Sequence, residues 1–210
     1  MKFAIQPKYS GREFLAIVQS GTEYYFGKPK NENDVPLGSV EWIENIIGRR
    51  SPDYYPIYLA EYLHREVGYM KYWPLDKRLF IKPADSYKRF TGFVTNGKRS
   101  KGKQGPFVWS TPVKFVQEWR YYVANGQVLT TGWYAGANED EEAPELPMEL
   151  SSKVYGAFDF GRLSTGESAL VEYQHPFACG WYGDSKDHSK YLQWLVEGWK
   201  WLTKETKCKI

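Results

Sequence analysis

Apolar positions along the chain change their period part-way, and that change predicts its elements. Residues 3–6 and 14–19 are short apolar runs that read as strands, with Gly21 as punctuation. Lys28 to Asp34 is a polar loop. From Ser39 to Ile47 the apolar positions Val40, Ile43 and Ile47 share one helical face, and Gly48 ends the segment. Pro56 opens a second expected helix, in which Leu59, Leu63 and Val67 recur at every fourth residue until Gly68. From residue 79 the pattern becomes strand-like, through residues 79–83, 90–95 and 113–123. Asn125-Gly126 is a two-residue hairpin signal leading into 128–134. Residues 154–160 and 168–174 form a second expected hairpin around Thr165-Gly166. A last helix starts near Asp184 or Ser185, with Leu192, Leu195, Trp199 and Leu202 on its buried face. The sum is an α+β protein: an N-terminal lobe over 1–75, then a mostly antiparallel domain over 76–210 with a covering C-terminal helix.

Composition narrows this picture only slightly. The chain has 210 residues, enough for one substantial core or two small lobes. Nine Trp, 17 Tyr and 11 Phe point to packing before base stacking, because these rings bury so much area. A net charge of +3 is too small to establish a nucleic-acid partner. Cys179 and Cys208 are the only cysteines, so no disulfide framework is expected. No apolar run has the length of a membrane span, and the first residues are too polar for a signal peptide. The expected location is the cytoplasm, with no membrane partner.

The candidate chemistry is that of a nucleotide and a metal. Lys82 sits in the apolar strand Leu79-Phe80-Ile81-Lys82-Pro83, followed by a loop from Ser86 to Gly92 that carries Lys88 and Arg89. A strand lysine before a glycine-bearing loop suits nucleotide phosphates. Glu172 and Gln174 are two apart on one strand and so share a face. Antiparallel pairing brings Asp159 to them, and two carboxylates with an amide oxygen suit magnesium. The plain alternative is a Glu172 that faces solvent. Glu118 and Arg120 also share a strand face, either as an ion pair or with Arg120 toward a phosphoryl group and the backbone near Gln117 and Glu118 against adenine. Arg65 reads as a surface residue paired with Glu61 when taken alone.

Two charged loops complete the inventory. Residues 97–105 carry four basic residues among three glycines, either solvated or closing over phosphates, an acidic substrate or nucleic acid. Residues 138–145 are acidic and read as a solvated, mobile connector. The basic loop lacks the Walker pattern. His64, His175 and His188 lack metal-site spacing with the cysteines, and no G-x-S-x-G elbow is present.

In order, these pieces resemble the ATP-grasp superfamily, and more narrowly its small clade defined by two arginines and one lysine, frequent in phage and bacterial genomes. The resemblance rests on Pro36-Leu37-Gly38-Ser39-Val40-Glu41, Leu63-His64-Arg65, Phe80-Ile81-Lys82-Pro83 and Phe90-Thr91-Gly92-Phe93-Val94. It continues through Glu118-Trp119-Arg120, the Asp159 strand, Val171-Glu172 and Gly180-Trp181-Tyr182-Gly183. It implies an ATP-grasp fold whose two lobes hold the nucleotide between them. Lys82 would contact the α/β-phosphates, with Lys88, Arg89 and Gly92 in the adjoining loop, and Gln117 and Glu118 would lie beside adenine. Asp159 and Glu172 would hold Mg²⁺, joined by Gln174, which stands where the superfamily usually has Asn. Arg65 and Arg120 would be the clade's two arginines, near phosphate or acyl phosphate. The implied activity is ATP-dependent joining of a carboxylate to an amine or thiol acceptor through an acyl phosphate. An amino acid, a peptide or a protein would serve as acceptor. The alternatives are a non-catalytic nucleotide-binding interaction protein, and a nucleic-acid-binding or nucleic-acid-modifying protein that uses the 97–105 loop.

Overall fold

A computed structural model describes residues 1–48, 54–74, 77–85, 89–98, 104–176 and 180–207. It contains three sheets and three α-helices among these residues. The first sheet is parallel, with β1 (Phe3–Ile5) between β2 (Tyr24–Phe26) and β3 (Val35–Leu37). Parallel neighbours need a crossover, and α1 (Arg12–Gln19) supplies it between β1 and β2. The strand expected at 14–19 is therefore a helix. Its apolar run fits either period, but Glu13, Ala16 and Ile17 are the buried positions, which is one helical face. The helix α2 (Val40–Ile47) agrees with expectation: Ser39 caps its first turn and Gly48 closes it with φ of 63°.

The second expected helix forms only as a 3-10 segment, Ile57–Tyr62. His64 then takes φ of 47° and breaks the chain direction, and Val67 opens β4 (Val67–Met70). Leu59, Leu63 and Val67 nevertheless pack into one core. Their spacing recorded shared burial and not a continuous helix. The strand β4 pairs with β7 (Phe107–Ser110), which pairs in turn with β5 (Phe80–Pro83), and β6 (Phe93–Val94) completes this antiparallel sheet. An N-terminal lobe ending at residue 75 would cut through this sheet.

The third sheet is antiparallel in the order β11-β10-β8-β9. Its strands are β8 (Phe115–Ala124), β9 (Gln127–Gly136), β10 (Gly156–Leu163) and β11 (Ser168–Gln174). Both hairpins lie where expected. Asn125 and Gly126 take φ of 52° and 72°, the left-handed pair that a tight hairpin turn requires. Alternation along β8 gives the sheet two different faces. Trp119, Tyr121 and Val123 join Phe158, Phe160 and Tyr173 in one core. Tyr122 and Ala124 join Ala157, the parallel sheet and α3 (His188–Lys207) in another. Most of the aromatic content is spent on this packing. Among the described residues, no helix is long and apolar enough to cross a membrane.

The acidic connector is not free. The Arg162 guanidinium holds the Glu141 carboxylate by two bonds of 2.5 and 2.9 Å. The Trp119 indole N–H donates to the Glu141 carbonyl at 3.0 Å, and the Tyr121 hydroxyl donates to the Pro144 carbonyl at 2.7 Å. Ala143 and Leu146 pack against the core beneath, so the segment is a cover.

Candidate functional site

Between the two antiparallel sheets lies a cavity of about 270 Å³, whose walls include Phe80, Lys82, Glu118, Asp159 and Glu172. The register explains why these side chains meet. Asp159 on β10 is the cross-strand partner of both Arg120 on β8 and Glu172 on β11. Three charged residues therefore stand in a row across one sheet face, and Lys82 approaches them from β5 in the opposite sheet.

The charges pair off. The Arg120 guanidinium grips Asp159 with two bonds, Nε to Oδ1 at 2.7 Å and Nη2 to Oδ2 at 2.6 Å, and both side chains are almost fully buried. The Arg120 fork is thus committed across the sheet to Asp159, where the plainer of the two sequence readings paired it with Glu118 on its own strand. The rings of Tyr134 and Tyr182 flank the guanidinium at 5.1 and 5.0 Å. Lys82 pairs with Oε2 of Glu172, and its ammonium lies 3.8 Å from the centre of the Tyr54 ring. Burial disfavours charge on both partners, but their mutual attraction prevails: the Lys82 pKa is raised and that of Glu172 is lowered. The Gln174 amide donates to the other Glu172 oxygen, Oε1.

Glu118 is different. Among the described residues it has neither an ion pair nor a hydrogen bond from a side chain. Burial, then the charges of Asp159 and Glu172, push its pKa up to about 7, with Arg65 opposing.

The model of the family described as ATP-grasp domain, R2K clade family 2, matches residues 62–193, more than half of the chain. The chain belongs to the R2K clade of the ATP-grasp family. Its α+β architecture of antiparallel sheets is the ATP-grasp fold, and the family implies use of ATP. Among solved structures it is similar to "Structure of ATP-grasp ligase PsnB complexed with minimal precursor", at 9% identity and a TM-score of 0.41, over 81% of this chain and 88% of that one. No curated protein matches the chain.

Within this R2K-clade domain, the residues singled out from sequence do not all converge. Lys82, Glu118, Asp159, Glu172 and Arg65 line the cavity, with Arg120 and Gln174 bonded to its carboxylates. The Gln117 side chain is turned to the opposite face. Its Nε2 donates to the Asn138 carbonyl and its Oε1 accepts from the Asn138 N–H at 3.3 Å, anchoring the acidic cover. Arg89 is bound by Asp85 at 2.9 Å and by the Gln104 carbonyl at 3.0 Å, away from the cavity walls. Gly92 lies under Phe80, where an added Cβ would come within 2.5 Å of the ring. Lys88 lies outside the described residues, as do 99–103 of the basic loop. Arg65 is not paired with Glu61, and its guanidinium instead binds three main-chain carbonyls.

Sequence reasoning gave no site role to Tyr55 and Tyr134, which line the cavity, or to Tyr54 and Tyr182, whose rings lie against Lys82 and Arg120. Only Tyr182 had a local signal, the flanking Gly180 and Gly183. That segment crosses β9 at Gly132, where a Cβ would lie 2.4 Å from the Tyr182 carbonyl carbon.

The donor chemistry fits a hard divalent cation: two carboxylates face each other across adjacent strands, with an amide beside one of them. Among the described residues no cluster of three or more His, Cys, Asp or Glu side chains forms a metal cage. A cation there would complete its shell from water and phosphate, which is how magnesium is commonly held.

Proposed function

We propose that this protein is an ATP-dependent ligase that joins a carboxylate to an amine or thiol through an acyl phosphate. The observation that supports the reading best is the paired charge of the cavity: Lys82 with Glu172, and Arg120 with Asp159. Each pair offers a cation for phosphate oxygens and a carboxylate for a metal. A magnesium nucleotide complements both halves at once.

In this reading Lys82 binds the polyphosphate and Arg120 faces the transferring phosphoryl group, where a guanidinium fork matches its oxygens. The Gln117–Glu118 strand lies beside the nucleoside, and the Glu118 carboxylate accepts bonds from hydroxyl or amino groups there. Asp159 and Glu172, supported by Gln174, would hold Mg²⁺, which supplies charge neutralisation along the polyphosphate. A substrate carboxylate oxygen attacks the γ-phosphorus, the bond to the β-bridging oxygen breaks, and ADP leaves. The amine nitrogen then attacks the acyl carbon, phosphate departs with the bonding pair, and the nitrogen loses a proton. The protein's part is positioning and fixed positive charge. Tyr134 and Tyr182 hold Arg120 in place.

Calorimetric titration with ATP, with and without Mg²⁺, tests the reading. The wild-type chain binds ATP in a magnesium-dependent manner, and Lys82→Ala loses that binding. Glu172→Gln has a less obvious effect. It forfeits the magnesium contribution, yet it frees Lys82 from its partner, so metal-free ATP binds more tightly than to wild type. One charge-assisted hydrogen bond regained corresponds to roughly tenfold. A wild-type chain that binds no ATP under either condition removes the ligase reading. Binding without ADP release, whatever carboxylate and amine are supplied, leaves a nucleotide-binding protein without catalysis.

A further inference from the structure

The strand that carries Glu172 is irregular at one point. Asp159 pairs with Glu172, but the next residue, Phe160, pairs with Leu170. Val171 is thus an extra residue on β11, a β-bulge opposite a single step of β10. Strand side chains alternate between faces, so one residue more or less decides which face Glu172 takes. Here the bulge sets Glu172 opposite Asp159 and within reach of Lys82.

A bulge disrupts the ladder locally and leaves main-chain groups in need of partners. Arg65 supplies them from the turn that precedes β4. Its Nη1 donates to the Leu170 carbonyl at 2.6 Å and to the Leu63 carbonyl at 2.9 Å, and its Nη2 donates to the Val171 carbonyl at 2.8 Å. The rings of Tyr55 and Phe115 lie 5.5 Å from the guanidinium carbon. A planar fork with two rings near it and bonded to carbonyls of two segments is a fixed structural clamp.

The geometry points to Arg65 as a positioning residue: it clamps the β11 bulge and thereby aims Glu172 at the cation shared with Asp159, without acting as a phosphate ligand. The inference rests on the proposed metal–nucleotide reading of the cavity. It departs from the resemblance, which places Arg65 beside phosphate or acyl phosphate.

The test separates metal from nucleotide in the full chain. Mn²⁺ is the metal probe, read by electron paramagnetic resonance in the presence of AMP-PNP. AMP-PNP in EDTA is the metal-free probe, read by calorimetry. Arg65→Ala and Arg65→Lys are both expected to lose roughly 10- to 100-fold in Mn²⁺ affinity, the usual cost of removing a group that orients a ligand. Affinity for AMP-PNP in EDTA does not fall, and rises to the extent that a misaimed Glu172 releases Lys82. Failure of lysine to rescue is part of the expectation, because a single ammonium cannot serve three carbonyls in a planar fork. A loss of AMP-PNP affinity in EDTA that matches the loss with metal would make Arg65 a phosphate ligand and overturn the proposal. Full Mn²⁺ affinity in Arg65→Lys overturns it too, since charge alone would then suffice.

Should substitution at Arg65 unfold the chain, the wild-type guanidinium N–H resonances carry the test. They stay protected from exchange and unshifted when AMP-PNP is added in EDTA, and a shift there overturns the clamp. A wild-type chain that binds neither AMP-PNP nor Mn²⁺ fails the ligase reading itself, while protected Arg65 N–H groups would still report the clamp.

Discussion

Glu118 faces the cavity with no ion pair among the described residues, unlike Asp159 and Glu172, and its titration is the residue-scale consequence. The group's ordinary pKa is 4.5, and burial together with Asp159 and Glu172 pushes it up to about 7. The folded state therefore binds this proton more tightly than the unfolded chain. Its contribution to stability is fully present below pH 4.5 and is lost as the pH rises through about 7. Glu172 has the opposite sign: its lowered pKa gives stability that is lost on acidification. The difference between wild type and Glu118→Gln isolates the first effect. In thermal melts of the ligand-free chain, the wild type loses stability relative to Glu118→Gln between pH 4.5 and 7. A difference that stays flat across that range would show Glu118 titrating normally. At this scale the sequence was legible where spacing carries chemistry. Glu172 and Gln174, two apart, do share a face and bond to each other. Asp159 does stand opposite Glu172, while Gln174 stands opposite Ala157. Arg65 was not legible, because two of its three partners lie more than a hundred positions away, and all three are carbonyl groups that no side-chain pattern encodes.

Elements were legible where a local signal had one interpretation. Asn125-Gly126 demanded a tight turn, and the strands on either side followed. The run at 14–19 had two interpretations, and only its place between two parallel strands made it a helix. The same holds for Val67, whose spacing suited a helix until sheet pairing with Ser110 claimed it. Gly132 shows how an element can depend on another far along the chain. The Tyr182–Gly183 backbone passes so close that a Cβ at 132 would lie 2.4 and 2.5 Å from backbone atoms of those two residues. Backbone cannot swing aside as a side chain does. Gly132→Ala is therefore expected to destabilise the chain by about 1–3 kcal/mol in urea unfolding, the cost of forced overpacking. It also lifts Tyr182 from Arg120, so ATP affinity falls in the same variant. Unchanged stability would mean that the crossing segment has room to move.

For the molecule as a whole, α3 ties the parallel sheet to the site-bearing one. Trp194 is fully buried, and its indole N–H is shared between the carbonyls of Val123 on β8 and Gly156 on β10, at 3.0 and 3.1 Å. Its ring packs on Tyr122 and Tyr191 at 5.1 and 5.7 Å. Tyr122 accepts the Tyr182 N–H at 3.0 Å and donates to the Gly180 carbonyl at 2.6 Å, so this core reaches the segment that covers Arg120. Trp194→Ala is expected to cost about 3–5 kcal/mol, with near-ultraviolet dichroism reporting loss of aromatic packing across both sheets. A loss confined to fraying of α3 would show the helix to be peripheral. The sequence alone determined the α+β class, the two hairpins and the buried face of the last helix. Those features follow from period, turn chemistry and side-chain type, which act over a few residues. Only the tertiary structure decided that Arg120 answers Asp159, that Lys82 answers Glu172, that Gln117 turns away to hold the acidic cover, and that Arg65 serves a bulge. Each of those depends on register between distant strands, and one residue of register changes which face a side chain occupies.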